Sequence, residues 1–522
     1  MLRLLAASLL VTYTLAATAA EWRNRTIYQL ITDRFATTDN SGPRCWTEER
    51  QYCGGTWKGI ISKLDYIQDL GFDAIWISPV VANVEGDTVY GQAYHGYWTQ
   101  DFYSLNPHFG TADDLKALSA ALHDRGMYLM VDVVANHMVS RSNPPDYSLF
   151  SPFSNESDFH PECYIDWTNQ TDVEQCRLGD RNVPLADLNT EDEDVASRLN
   201  AWIKDLVGEY GIDGLRIDAA RHIRKGFWPG FVEAAGVFTL GEVWHPDPNF
   251  LAPYTKVMDS VLDFPNRITL TDAFRNDHGD LAALAASMRK SQGLYEMAGA
   301  FLECHDEPRF PSGTQDEALI KNAMAWVFVQ DGIPILYYGQ EQGYTGGADP
   351  ANREALWYSG YVVEDKPLVN HVRTLNAARR LATAANSSFL TSPAKLYAVS
   401  ESTLAISKPP LLALLTNVGS WSSASATWDV PDASYEANEI LVDVLSCSMV
   451  IADSSGGVLV HASSGVPQVL LPASALSASG NVCPHLAAQG LASSTLGGIR
   501  ANALANGPSN AQGLFAQMSF KF

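Results

Sequence analysis

The chain is short of positive charge, of cysteine and of apolar runs long enough for a membrane. Thirty-five Lys and Arg stand against 59 Asp and Glu, a formal charge of −24 over 522 residues. Such a field repels nucleic acid and anionic membrane surfaces and leaves a neutral or cationic partner. The apolar run at residues 4–15 is too short for a membrane anchor. The final stretch, 485–522, is rich in Ala, Ser and Gly without a hydrophobic end, so no lipid-anchor signal is expected there. Seven cysteines are present without a C-x-x-C spacing, which argues against a thiolate metal site.

What is present points outward from the cell. Arg3, the apolar run and the small-x-small triplet Ala17-Thr18-Ala19 read as a signal peptide over 1–19, predicting a secreted protein. Four N-x-S/T sequons, at Asn24, Asn155, Asn169 and Asn386, fit that route. Export permits disulfides, and proximity suggests Cys45 with Cys53, Cys163 with Cys176 and Cys447 with Cys483, leaving Cys304 over. Spacing alone does not fix the connectivity. Thirteen Trp and 21 Tyr supply the flat faces on which neutral sugar rings stack, though most such residues serve packing.

Between residues 20 and 395, apolar runs alternate with helix-like stretches such as 111–125 and 192–210. The runs fall at 27–33, 72–79, 127–137, 212–218, 237–244, 257–264, 298–306 and 333–340. Eight buried strands spaced by helices predict an α/β fold, a parallel (β/α)8 TIM barrel. Several runs end in polar or ionisable residues. Asp132, Asn136 and His137 lie on the third run; Arg216 and Asp218 end the fourth, Glu242 the fifth, and His305 with Asp306 the seventh. One such end is an ordinary cap or a solvated loop residue. Four of them in a barrel converge on one mouth, where barrel enzymes carry out chemistry.

Residues 138–190, rich in Asn, Asp, Pro and Ser, interrupt the alternation and read as a small domain inserted after the third strand. From 396 to 484 strand-like pieces replace helices, predicting a C-terminal antiparallel β-sandwich. Residues 485–522 read as a disordered low-complexity tail.

Splitting an acetal between sugars takes two carboxyl groups, one to protonate the leaving oxygen and one to attack. Asp218, Glu242 and Asp306 are of that type, and spacing alone assigns none of them a role. The segments VDVVANH (131–137), GLRIDAARH (214–222), GEVW (241–244) and ECHDEPRF (303–310) resemble the four signature regions of the α-amylase family. AYHGYW, TADDLKAL and DPANREA extend the likeness to secreted fungal α-amylases of the Taka-amylase type, over roughly residues 21–484.

The resemblance implies a retaining endo-hydrolase of α-1,4-glucan. Asp218 is then the nucleophile, Glu242 the acid and base, and Asp306 a holder of ring hydroxyls. Arg216, on the same strand face as Asp218, keeps that carboxyl ionised. His137 and His305 meet the sugar beside the cut. Tyr97 stacks under that sugar with His95 and Trp98 beside it. Arg221 and His222 contact sugars past the cut, and Asp349 and Arg353 grip the donor side. The resemblance also implies a structural calcium ion held by Asn136, Glu174, Asp187 and the His222 carbonyl, oxygen ligands that suit this hard cation. A monomer acting on α-glucan, without nucleic acid or membrane anchor, is the expected working form.

The match departs from the family at Arg221, where a Lys is usual, at Trp244 and His245 in place of Leu-Asp, and at Cys304 and Glu307 in place of Asn. A disulfide of the later barrel has no counterpart, since Ala252 stands at its first position. Glu307 is expected to raise the pKa of one of the Asp306–Glu307 carboxyls, or to pair with Arg221 or Arg309. Together with Arg221, Trp244 and His245 it is expected to alter the sugar sites past the cut. A 4-α-glucanotransferase is therefore the main rival, and a catalytically inactive glucan-binding protein the second. His137 and His305 favour hydrolysis, and the three carboxylates argue against inactivity.

Overall fold

A computed structural model describes residues 17–275, 279–294, 297–420, 425–462, 464–476 and 482–488. Most of the signal-peptide reading (1–16) and the tail from 489 lie outside the described residues. The expected disorder from 485 is corrected at its start: Pro484–Ala488 forms a short helix across that boundary, following directly on Cys483, which is tied to Cys447.

Eight parallel strands close into a barrel. They are β1 (Ile27–Leu30), β2 (Ala74–Ile77), β3 (Tyr128–Val133) and β4 (Gly214–Ile217), then β5 (Phe238–Gly241), β6 (Ser260–Leu262), β7 (Ala298–Phe301) and β8 (Ile333–Tyr337). Each pairs in register with its sequence neighbour, and β1 closes on β8 through Ile27 opposite Ile335. The strands are buried along almost their whole length, which explains their continuous rather than alternating hydrophobicity.

The helices outside the barrel are specified locally. Thr111 and Asp114 form a capping box that starts Ala112–His123. Asp192 accepts from Asp194 N and Val195 N to start Glu193–Tyr210, and Gly211 ends that helix in the left-handed conformation. Val195, Leu199, Trp202, Ile203 and Leu206 lie on one stripe of it and are buried against the barrel. Under the barrel floor, the buried Trp22 stacks on Phe238 at 5.1 Å and donates to Asp213 O at 3.1 Å.

The segment after β3 opens with His137–Val139, which pairs antiparallel with Leu185–Asp187. A disulfide joins Cys163 to Cys176 around the helix Gln170–Gln175. Beyond the last barrel helix (Pro367–Ala385), a six-stranded antiparallel sheet faces the pair Ala426–Val430 and Val458–Ala462. The alternating burial of those two strands and the fully buried Trp428 mark the inner layer of a sandwich.

Candidate active site

The C-terminal ends of the barrel strands carry a knot of charge around one guanidinium. Arg216, on β4, is 1% exposed. Its Nη1 donates to Asp132 Oδ1 and to Asp218 Oδ1, both at 2.9 Å, and its Nη2 lies 2.9 Å from Glu242 Oε2. Three carboxyls thus share one cation. Asp132 also accepts from Tyr97 Oη at 2.7 Å and Trp76 Nε1 at 3.1 Å. Burial lifts Asp132 to about 6 against the pull of Arg216. Burial likewise raises Asp218 well above the usual carboxylate range, with Arg216 opposing and Glu242 and Asp132 adding to the rise.

The backbone turns sharply after Asp218. Ala219 adopts φ +49°, and its N–H donates to Glu242 Oε2 at 2.8 Å. A left-handed alanine is strained, and here it binds the ends of β4 and β5 together. The Asp218 and Glu242 side chains remain 16% and 18% exposed, so both can meet a ligand from the mouth.

A cleft of about 580 Å³ opens above Asp218. Tyr97, His95 and Trp98 form one wall, and the Tyr97 ring lies parallel to His305 at 5.0 Å. His137 lines the cleft and donates from Nε2 to Tyr97 O at 3.1 Å. His305 Nε2 lies 3.2 Å from Asp306 Oδ2, and Arg353 Nη2 lies 3.5 Å from Asp306 Oδ1. Burial, Arg353 and Arg216 push His305 well below the usual histidine range, so its imidazole is neutral. Arg353 also pairs with Asp349 at 3.0 Å.

Among the cleft residues that the sequence did not single out are Arg50 and Tyr90. Arg50 reaches Asp349 Oδ2 at 2.9 Å, and Tyr90 hydrogen-bonds Asp180 in the segment after β3. Arg50 sits in a loop of charged residues that reads as solvated surface. Only its place inside the Cys45–Cys53 bridge hinted at order.

The other side of the knot holds the departures. Arg221 donates from Nη1 to Trp244 O at 3.1 Å, and its guanidinium lies over Phe250 at 5.1 Å. Phe250 in turn stacks on His245 at 4.2 Å. Trp244 is 48% exposed and Trp167, edge-on to His222 at 5.7 Å, is 58% exposed. Glu307 corrects an expectation. It pairs with Arg267 at 3.4 Å, not with Arg221 or Arg309. Arg309 is taken by Glu303 and Glu354, and Arg221 faces the inserted helix through Gln170.

Among the described residues no three His, Cys, Asp or Glu side chains converge as a metal cluster. The predicted calcium set has only two such side chains, Glu174 and Asp187, beside an amide and a backbone oxygen. Asn136 Nδ2 lies 3.4 Å from His137 Nδ1, which turns Asn136 Oδ1 the other way, buried and without a partner. Asp187 Oδ1 is likewise buried and unpartnered, while Oδ2 meets His160 Nδ1 at 2.7 Å. Leu188 N donates to Asn136 O, placing these two residues side by side. His222 Nδ1 donates to Val173 O at 3.1 Å, next to Glu174. The two buried, orphaned hard oxygens of Asn136 and Asp187 are of the chemistry that a calcium ion takes.

The sequence matches the family described as alpha amylase, catalytic domain, over residues 29–368, and alpha-amylase, domain C, over 396–490. The alpha-amylase of Saccharomycopsis fibuligera is 45% identical over 462 residues, covering 87% of this chain and 92% of that protein. The solved alpha-amylase from Malbranchea cinnamomea is 45% identical with a TM-score of 0.87, covering 90% of this chain and 100% of that one. The alpha-amylase of Geobacillus thermoleovorans, solved with acarbose, is 29% identical with a TM-score of 0.73, over 86% and 98% of the two chains.

Proposed function

The chain belongs to the α-amylase family, and from that premise we propose that it hydrolyses internal α-1,4-glucosidic bonds of starch-type glucans with retention of configuration. The observation that carries the reading is Arg216, whose two terminal nitrogens hold Asp218 and Glu242 side by side at the strand ends. Adjacent carboxyls fit a retaining mechanism, whereas inverting enzymes keep them roughly 6.5–9.5 Å apart to admit a water.

In the first step the Asp218 carboxylate bonds to the sugar C1 while Glu242 gives its proton to the departing glycosidic oxygen. In the second, the Glu242 carboxylate takes a proton from water, the water oxygen bonds to C1, and the bond to Asp218 breaks. Arg216 favours the anionic Asp218 that attack requires. Asp306, oriented by His305 and Arg353, accepts from ring hydroxyls, and Tyr97 presents its face to the same sugar. Asp349, Arg353 and Arg50 bind the donor chain, and Arg221, His222 and Trp244 the acceptor. A calcium ion, when bound by Asn136, Asp187, Glu174 and the His222 carbonyl, ties the inserted segment to the barrel.

The three disulfides support an oxidising, extracellular setting. Among the described residues no helix is long and apolar enough to cross a membrane. We take the secreted form to be a monomer.

The test is a time course on pure maltoheptaose read by chromatography and by proton NMR of the new reducing ends. Shorter oligosaccharides appearing first as α-anomers support retaining hydrolysis. First-formed β-anomers would refute the mechanism, and abundant products longer than the substrate would make the protein a glucanotransferase.

A further inference from the structure

We propose that Gln29 is a positioning residue that fixes the tautomer of His305, so that this imidazole presents Nε2–H to Asp306 and to the sugar beside the cut. Its catalytic consequence rests on the glucan-cleaving reading. The tautomer itself rests on geometry.

Gln29 is an amide inside an apolar strand. It lies on β1 between Tyr28 and Leu30 and is 3% exposed. Its backbone oxygen accepts from Tyr338 N at 2.8 Å, so its main chain is satisfied within the barrel. Placing an uncharged amide in such a strand is costly unless its side chain is used. Its Nε2 lies 2.9 Å from His305 Nδ1, and its Oε1 is buried without a partner.

That one-sided bonding follows from His305. The ring is 3% exposed, and burial with two nearby guanidinium groups keeps it neutral, with a single N–H to place. Its Nε2 faces Asp306 Oδ2 at 3.2 Å. Burial raises the Asp306 carboxyl above the ordinary carboxylate range, while Arg353, 3.5 Å from its other oxygen, and Arg216 oppose that rise and favour the anion. An anionic carboxylate only accepts, so the hydrogen belongs on Nε2 and the lone pair on Nδ1. A buried lone pair needs a donor, and among the described residues the Gln29 NH₂ group is the one within reach. The opposite amide orientation would set two acceptors against each other at one end of the ring or the other.

The rest of the His305 environment fixes the ring in space without choosing its tautomer. Tyr97 lies parallel to it at 5.0 Å and 6°. Asn352 Nδ2 and Arg353 Nε donate to the His305 carbonyl at 2.9 and 3.0 Å. Gln29 at Nδ1 and Asp306 at Nε2 are the two contacts that select the tautomer, and Gln29 is the one that holds the Nδ1 lone pair. Without it the hydrogen can move to Nδ1, and the Nε2 lone pair then opposes Asp306 and offers nothing to a sugar hydroxyl.

The experiment is long-range ¹H–¹⁵N correlation NMR of uniformly ¹⁵N-labelled full-length protein at neutral pH. The His305 signals are identified by their loss in His305→Gln. In the unaltered protein, His305 should show a protonated-type Nε2 and an unprotonated-type Nδ1. Gln29→Leu should move both shifts toward the average of two tautomers, and Gln29→Glu should place the hydrogen on Nδ1. On maltoheptaose, kcat of Gln29→Leu should fall about tenfold with KM changed far less, the pattern of a lost transition-state donor. A His305 in the Nδ1–H form in the unaltered protein would overturn the proposal, and that measurement needs no variant to fold. Unchanged ¹⁵N shifts in a folded Gln29→Leu would overturn it as well. Absence of glucan cleavage by the unaltered protein would instead refute the functional reading and leave the tautomer result standing.

Discussion

Arg50 Nη1 lies 2.9 Å from Asp349 Oδ2, joining loops 299 positions apart in the chain. The contact is held from behind. Asp33, wholly buried, accepts from Cys53 N and Gly54 N, and Arg50 itself takes a left-handed φ of +50° against Gly91. A side chain on Gly91 would strike the Arg50 Cβ at 2.3 Å, so the close approach requires glycine there. Both ion-pair partners are about one-third exposed, so the pair stabilises the fold little. In the proposed function it instead presents a charge to the donor chain. Arg50→Gln should raise KM for maltoheptaose roughly three- to tenfold with kcat within about twofold, the signature of uniform binding. Steady-state kinetics decide this, and an unchanged KM would remove Arg50 from the substrate site.

Arg216 is the residue whose loss should be felt in both stability and chemistry. Arg216→Met leaves Asp132, Asp218 and Glu242 buried around no cation, a change that costs about 3–5 kcal/mol. With the guanidinium present, Asp132 already rises to about 6. Without it Asp132 and Asp218 rise further, so the folded variant binds protons that the unfolded chain releases. Its stability relative to the parent should therefore improve as pH is lowered from 7 toward 5. Urea denaturation at the two pH values tests the sign. Arg216→Lys keeps the charge but lacks the fork that spans two carboxyls, and kcat should still fall at least about 100-fold.

Much of the site was legible because barrel topology does the gathering. A polar residue at a strand end is uninformative alone, yet Asp132, Arg216, Asp218 and Glu242 must meet once parallel strands close. Gln29 was not legible, since one amide within an apolar strand looks like a tolerated core residue. Neither was Arg50, which lies in a loop among Glu48 and Glu49. The Glu307 partner was misjudged for a geometric reason. Arg267 approaches from the helix that follows β6 (Phe264–Phe274), and side-chain reach across neighbouring barrel units is not encoded in local spacing.

Calcium should act as a fold ligand. Its proposed oxygens, Asn136 Oδ1 and Asp187 Oδ1, are buried without partners and bridge the barrel to the inserted segment. An ion at about 100 times its Kd adds roughly 2.7 kcal/mol. Exhaustive chelation should lower Tm by several degrees, with recovery on adding Ca²⁺ but not Na⁺. Asp187→Asn should lose most of that response. A melting curve indifferent to chelator would rule the site out.

Cys304 should be chemically silent. Burial pushes its thiol up to about 12, and the nearby Asp306 adds to the rise. At pH 8 only about one part in 10⁴ is thiolate, the form that reacts. The native protein should give no colour with a disulfide-exchange reagent, and denaturation without reductant should release one thiol. Rapid native labelling would mean that the end of β7 opens.

Trp244 bears on the choice between water and sugar as acceptor. It stands two residues past Glu242, half exposed, with its carbonyl held by Arg221 and Arg221 braced on Phe250. In the proposed function, this exposed indole beside the acid/base offers a flat face on which the first sugars past the cut would stack. Water gains nothing from it. Trp244→Ala should therefore lower transfer relative to hydrolysis by about three- to tenfold at high maltotriose concentration, while hydrolysis of dilute substrate changes less. The ratio of products longer than the substrate to new reducing ends measures the effect. If that ratio is unchanged, the indole lies outside the path of the acceptor, and the balance between hydrolysis and transfer must be set by Arg221 and His222 instead.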